Sequence, residues 1–145
     1  MVYQQNSLYL WRYMRLLLSG SSSSPLVLFD PEAGFLSMAG VSTMADASLY
    51  YERLSDWLKS HSAHIKPQTD LVIALRFINS ASMRALYQFL KVIKDAQIPL
   101  RIVVTHLESS DNSDVIEFLQ EVCRILDLPH EVRKESSANE SPSSS

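Results

Sequence analysis

A continuous apolar run, Leu71 to Phe77 (LVIALRF), passes directly into a helical stripe in which Met83, Leu86, Tyr87, Leu90, Ile93 and Lys94 recur at i, i+3, i+4 spacing. Beyond that helix, Ile98 to Leu107 contains a second buried strand centred on Ile102-Val103-Val104. Strand, helix, strand in that order cannot close as a hairpin. The helix crosses over, so the two strands lie parallel in one sheet with the helix packed against it, and the fold class is α/β.

The pattern extends both ways. Upstream, Leu16 to Leu18 and Leu26 to Phe29 are short apolar runs separated by Ser21 to Ser24 and Pro25. Asp30-Pro31-Glu32-Ala33-Gly34 carries Pro and Gly where a turn wants them, and Phe35 to Ala39 returns, so Leu26 to Ala39 reads as a hairpin ended by Gly40. A helix follows, capped by Asp46 or Ser48, with Leu49, Leu54, Trp57 and Leu58 on its stripe. His61 to Thr69 is a polar loop with Pro67. Downstream, a third helix carries Val115, Phe118, Leu119, Val122, Ile125 and Leu126, Pro129 stops it, and His130 to Arg133 adds a short edge strand. The expectation is one domain: a mixed sheet with an N-terminal hairpin and about three helices against it.

The ends read differently. Leu8 to Leu18 is apolar but interrupted by Arg12 and Arg15, and is far short of the roughly 20 residues of a spanning helix. No Lys or Arg precedes it, so an extension leading into an edge strand is preferred to a signal peptide or a membrane-surface segment. Ser136 to Ser145 (SSANESPSSS) has no apolar residue beyond Ala138 and cannot offset the entropy of ordering. The division is an extension at 1–14, the domain at 15–133 and a disordered Ser-rich tail at 134–145.

Composition excludes several functions. One cysteine, Cys123, rules out a disulfide framework or a cysteine zinc cluster and suits a cytoplasmic setting. Three glycines are too few for a dinucleotide fingerprint, no phosphate-binding P-loop motif occurs, and a net charge of −3 argues against nucleic acid. No cofactor is implied. His61 and His64 lack a nearby carboxylate pair and read as solvated surface. His106, Glu108, Asp111 and Asp114 follow a strand end, where a small metal-dependent enzyme could place a site, although capping by Asp111, Asn112 and Ser113 explains the same residues. Cys123 reads as a small core residue.

The junction Arg76-Phe77-Ile78-Asn79-Ser80-Ala81-Ser82-Met83-Arg84 permits a switch. A serine in the first helical turn sits beside unsatisfied N–H groups and the positive end of the helix dipole. A phosphate there meets matching donors, and Arg76 or Arg84 can pair with it. The plainer role is an N-cap supplied by Asn79 or Ser80. Arg84, Tyr87 and Lys91 lie along the same helix as a candidate partner-facing rim.

The chain as a whole resembles the SiaC family of bacterial regulatory phosphoproteins over about residues 16 to 133. Leu16-Leu17-Leu18-Ser19-Gly20, the serine run, Pro25 and Leu26-Val27-Leu28-Phe29-Asp30 are similar to the family's opening of strand, Gly, Ser/Thr stretch, Pro, strand and "FD". Gly34 to Ser42 resembles its G-x-L-x-I-x-G-x-S, and Tyr50 or Tyr51 to Trp57-Leu58 its "FY…WL" helix. Phe77 to Ser82 resembles its "Y-F-N-T-S-S" junction, followed by Arg84-Ala85-Leu86, and Asp114 to Pro129 its acidic helix ending in "L-x-L-P". Ser42-Thr43-Met44-Ala45 stands where the family often has "S-Y-P-E", Ser80 stands where it usually has Thr, and Ala81 replaces a hydroxyl residue; a structural binding domain that keeps the fold without the switch is the alternative these departures leave open.

The resemblance implies a fold like that of the STAS-type anti-sigma-factor antagonists and a non-enzymatic role in partner switching. A dedicated Ser/Thr kinase would phosphorylate the protein and a PP2C-type phosphatase restore it. The unphosphorylated form would activate an effector such as a diguanylate cyclase, raising cyclic di-GMP and favouring aggregation or biofilm formation. Carried over by position, the phosphoacceptor is Ser80, with Ser82 the alternative.

Overall fold

The chain turns back at Asp30 because Pro31 presets the turn and Gly34, at φ 72°, supplies the left-handed residue that closes it. The Gly34 N–H donates to Pro31 O at 3.0 Å and the Ala33 N–H to Asp30 Oδ1 at 3.2 Å. The strands on either side pair antiparallel, as the sequence predicts.

A computed structural model describes residues 15–135. The extension at 1–14 and the tail from 136 onward lie outside the described residues. The elements are β1 (Leu16–Leu18), β2 (Leu26–Asp30), β3 (Phe35–Ser42), α1 (Ala47–Ser60), a 3-10 turn (Ser62–His64), β4 (Thr69–Ile78), α2 (Ser80–Asp95), β5 (Leu100–His106), α3 (Ser113–Leu126) and β6 (His130–Lys134). They form a mixed sheet in chain order, β1-β2-β3-β4-β5-β6. β1 to β3 are antiparallel neighbours, and β3 to β6 run parallel. β6 carries Lys134, one residue past the predicted domain end.

Sequential parallel strands joined by right-handed crossovers put every helix on the same side of the sheet. One core results, with Phe29, Leu36, Met38, Leu71, Ile73, Ile102 and Val104 from the strands meeting Leu54, Leu58, Leu86, Phe89, Leu90, Ile93 and Leu119 from the helices. Cys123 is in this core, and burial pushes its thiol up to about 11. On the opposite face Arg101 holds Asp70 at 2.9 Å and Glu131 at 3.2 Å, while Arg133 reaches Glu131 at 2.8 Å and Asp70 at 3.6 Å. These ion pairs tie β4, β5 and β6 together.

The helices are rotated from their predicted stripes. α2 buries Ser82, Ala85, Leu86, Phe89, Leu90 and Ile93, whereas Met83 is exposed, Tyr87 half-buried and Lys94 exposed. Small Ser82 and Ala85 let the backbone approach β3 and α1, and that close face wins over the larger Met83. α1 likewise buries Ala47, Tyr51 and Ser55 beside Leu54, Trp57 and Leu58 and leaves Leu49 exposed. α3 buries Ile116 and Cys123, and Ile125 points outward.

Candidate functional site

The strand-to-helix junction at Ile78 to Met83 is built around Asn79. In extended backbone just ahead of α2, its Oδ1 accepts from the Ser82 N–H at 2.9 Å. That is the N-cap, supplied by Asn79 and not by Ser80. The Asn79 N–H donates to Ser42 O at 3.1 Å and its Nδ2 to Met44 O at 3.4 Å, so the Thr43–Ala45 turn is fastened to the junction. That is the turn whose residues depart from the "S-Y-P-E" pattern.

With the cap provided by its neighbour, Ser80 is the first residue of α2, exposed, and its hydroxyl has no hydrogen-bond partner among the described residues. The Met83 N–H goes to Asn79 O at 2.9 Å. Among the described residues the Ser80 and Ala81 N–H groups have no partner, and α2 has no acid in its first turn. Open donors and uncompensated dipole together favour an anion at this position.

Ser82 has the opposite environment. It is fully buried, and its Oγ accepts from Ser42 Oγ at 2.7 Å. Ser42 Oγ in turn lies 2.8 Å from the Tyr51 hydroxyl on α1. Burial raises the Tyr51 phenol far above its ordinary range, so the network is neutral at any physiological pH. Three hydroxyls thus join β3, α1 and α2 beneath the surface on which Ser80 stands.

Arg76 and Arg84 are both exposed, and neither has an ion pair or hydrogen bond among the described residues. Arg84 is four residues after Ser80, on the same side of α2. Tyr87 packs partly against the core, and Lys91 is paired with Asp95 at 2.8 Å, which makes both poorer candidates for the rim. Two neighbours that sequence reasoning did not place here are exposed beside Ser80: Phe77, at 60%, and Met83. The i, i+3 spacing of Met83 from Ser80 was the available signal for the second; nothing local announced the first.

The acidic loop after β5 is a structural joint. Asn112, buried, accepts from the Leu107 N–H at 3.1 Å and donates to Leu75 O at 3.1 Å and Thr105 O at 2.9 Å. Asp111 accepts from both the hydroxyl and the N–H of Ser113. Those bonds, hydroxyl first, hold its carboxyl below the usual value of 3.8. Among the described residues no three His, Cys, Asp or Glu side chains stand together so as to hold a metal ion, His106, Glu108 and Asp111 included. His61 stacks on Trp57 at 4.0 Å and its Nδ1 lies 2.8 Å from Trp57 O, well apart from any ligand role with His64.

The model of the SiaC family regulatory phosphoproteins matches residues 18–134, which takes in every element from β2 to β6. The chain belongs to the SiaC family. Among solved structures it is similar to SiaC of Pseudomonas aeruginosa, at 22% identity over 83% of this chain and 98% of that one, with a TM-score of 0.69. It is equally similar, at 23% identity over 83% and 99% with a TM-score of 0.69, to the SiaC chain in the crystal structure of the diguanylate cyclase SiaD in complex with its activator SiaC, also from P. aeruginosa. At these identities the likeness carries the fold. No curated protein matches the chain. Among the described residues no helix is long and apolar enough to cross a membrane.

Proposed function

We propose that this SiaC-family protein is a non-enzymatic, cytoplasmic partner switch whose state is set on Ser80. A Ser/Thr kinase transfers the γ-phosphoryl group of ATP to Ser80 Oγ, releasing ADP and the hydroxyl proton; a PP2C-type phosphatase hydrolyses the ester with water to free phosphate. The unphosphorylated form binds an effector, taken to be a diguanylate cyclase by analogy with the SiaC–SiaD complex, and thereby raises cyclic di-GMP and favours aggregation or biofilm formation. The observation that carries the reading is the contrast at the start of α2: the Ser80 hydroxyl is exposed and unbonded beside open N–H donors, while the Ser82 hydroxyl is buried and engaged. Ser82 is therefore the weaker candidate. Arg76 and Arg84 are the phosphate-pairing residues of this reading, and Asn79 keeps the helix start in place.

The test is incubation with ATP and the Ser/Thr protein kinases of the source organism, with the phosphate mapped by mass spectrometry. Ser80→Ala should take up no phosphate while Ser82→Ala remains a substrate. Equal incorporation into Ser80→Ala would remove the assignment. In the same assay, cyclase activity should rise with unmodified protein and not with the phosphorylated form.

A further inference from the structure

β4 breaks its alternation just before the junction. Gly40 pairs with Leu75 but Val41 pairs with Phe77, so Arg76 is an extra residue in β4, opposite no partner on β3. Gly40, on β3 where the register shifts, has φ 115°, a backbone conformation open to glycine. A regular strand would bury Phe77 on the same side as Leu75. With the bulge, Leu75 is buried, Arg76 and Phe77 are both exposed, and Ile78 turns back to pack against the core. An aromatic ring and a guanidinium are thus presented together within three to four residues of Ser80, and Met83 and Arg84 present an apolar thioether and a second guanidinium on the first turns of α2.

A single exposed apolar side chain needs no explanation. Here a bulge turns Phe77 out, α2 exposes Met83 nearby in the chain, and the two arginines beside them lack ion pairs among the described residues, in a chain whose overall charge is −3. Aromatic and Arg side chains dominate binding energy at protein interfaces. Charge complementarity then specifies the partner: an apolar side chain flanked by carboxylates.

Resting on the switch proposed above, we infer that the effector seats an apolar side chain against Phe77 and Met83 and pairs its carboxylates with Arg76 and Arg84, and that phosphate on Ser80 releases it by taking those arginines. The phosphate acts as an internal competitor for the groups that hold the partner. Release needs no rearrangement of the fold, because the buried Ser42–Tyr51–Ser82 network beneath is untouched.

The experiment uses the full-length chain and, as probes, the purified diguanylate cyclases of its source organism; the cyclase that binds the unmodified chain is carried forward. Phosphoserine is incorporated at position 80 biosynthetically, so the kinase is not needed. Phe77→Ser should weaken cyclase binding about tenfold or more, whereas Ile125→Ser, equally exposed on α3, should not. The Arg76→Ala/Arg84→Ala pair should weaken binding and flatten its dependence on salt. In the phosphoserine-80 chain, the phosphate followed by 31P NMR should titrate at lower pH with the arginines than without them. Wild-type affinity for Phe77→Ser, an unchanged salt dependence, or an unchanged titration each overturns the inference. So does conversion of a dimer to a monomer by Phe77→Ser, which would make the patch an interface between two copies. A cyclase that binds but ignores the phosphate refutes the switch itself; no bound cyclase refutes the proposed effector and this inference with it.

Discussion

Two junctions follow the two central parallel strands, and both offer Asn-Ser at the start of a helix: Asn79-Ser80 ahead of α2 and Asn112-Ser113 ahead of α3. Their physics is opposed. Asn79 spends its side-chain oxygen on the local cap and leaves Ser80 exposed and unbonded among the described residues, with no acid in the first turn of its helix. Asn112 spends its side chain on Leu75, Thr105 and Leu107, stitching the ends of β4 and β5 to α3, while Asp111 takes the Ser113 hydroxyl and Asp114 occupies the first turn. A phosphate at Ser80, as proposed, would meet open N–H donors and arginines that lack ion pairs among the described residues. One at Ser113 would meet carboxylates. The same dipeptide leaves an exposed, unbonded hydroxyl in one place and acts as a rivet in the other, and the difference lies in what surrounds it.

Asn112→Ala is the strongest way to break this contrast. It strands two buried carbonyls and one N–H, and should cost roughly 3 kcal/mol in urea unfolding, against about 1 kcal/mol for Asn79→Ala, which loses an N-cap. Similar losses would show that Asn112 is no rivet. Next in size is the support beneath Ser80: Tyr51→Phe removes one member of the buried hydroxyl network and should lower stability by about 1 kcal/mol, with phosphorylation of Ser80 still proceeding. A variant as stable as the parent would mean that the Tyr51 hydroxyl contributes nothing net.

The smallest effect concerns charge at the second junction. Because the folded-state value for Asp111 lies below its ordinary 3.8, its contribution to stability is complete above that value and is lost as pH falls through the folded-state value. Ser113→Ala should move the Asp111 carboxyl back up in an NMR titration and leave phosphate uptake by the protein unchanged. An unmoved titration would assign the shift to something other than Ser113.

Much of this architecture is written in local periodicity. The hairpin about Gly34, the parallel strands around Ile73 and Val104, and the three helices follow from short apolar runs, turn residues and i, i+3, i+4 stripes, each a property of a few adjacent residues. The helix faces were less legible. The spacing puts Met83 on the buried stripe of α2 and passes over Ser82, because periodicity locates a stripe only to within about one residue and bulk hydrophobicity favours Met over Ser. The structure resolves the choice through a contact distant in sequence: Ser82 is buried against Ser42, forty positions away.

The bulge at Arg76 was equally out of reach, since it depends on how β4 pairs with β3 across the whole of α1. The sequence by itself determined the α/β class, the order of elements and a serine at the first turn of the second helix, because those rest on hydrophobic spacing and on short-range turn and cap chemistry. Tertiary structure alone decided which of two neighbouring serines is exposed, which asparagine caps and which stitches, and that Phe77 faces solvent beside Arg76. Each of these is settled by hydrogen bonds and packing between elements far apart in the chain, and no window of adjacent residues contains that information.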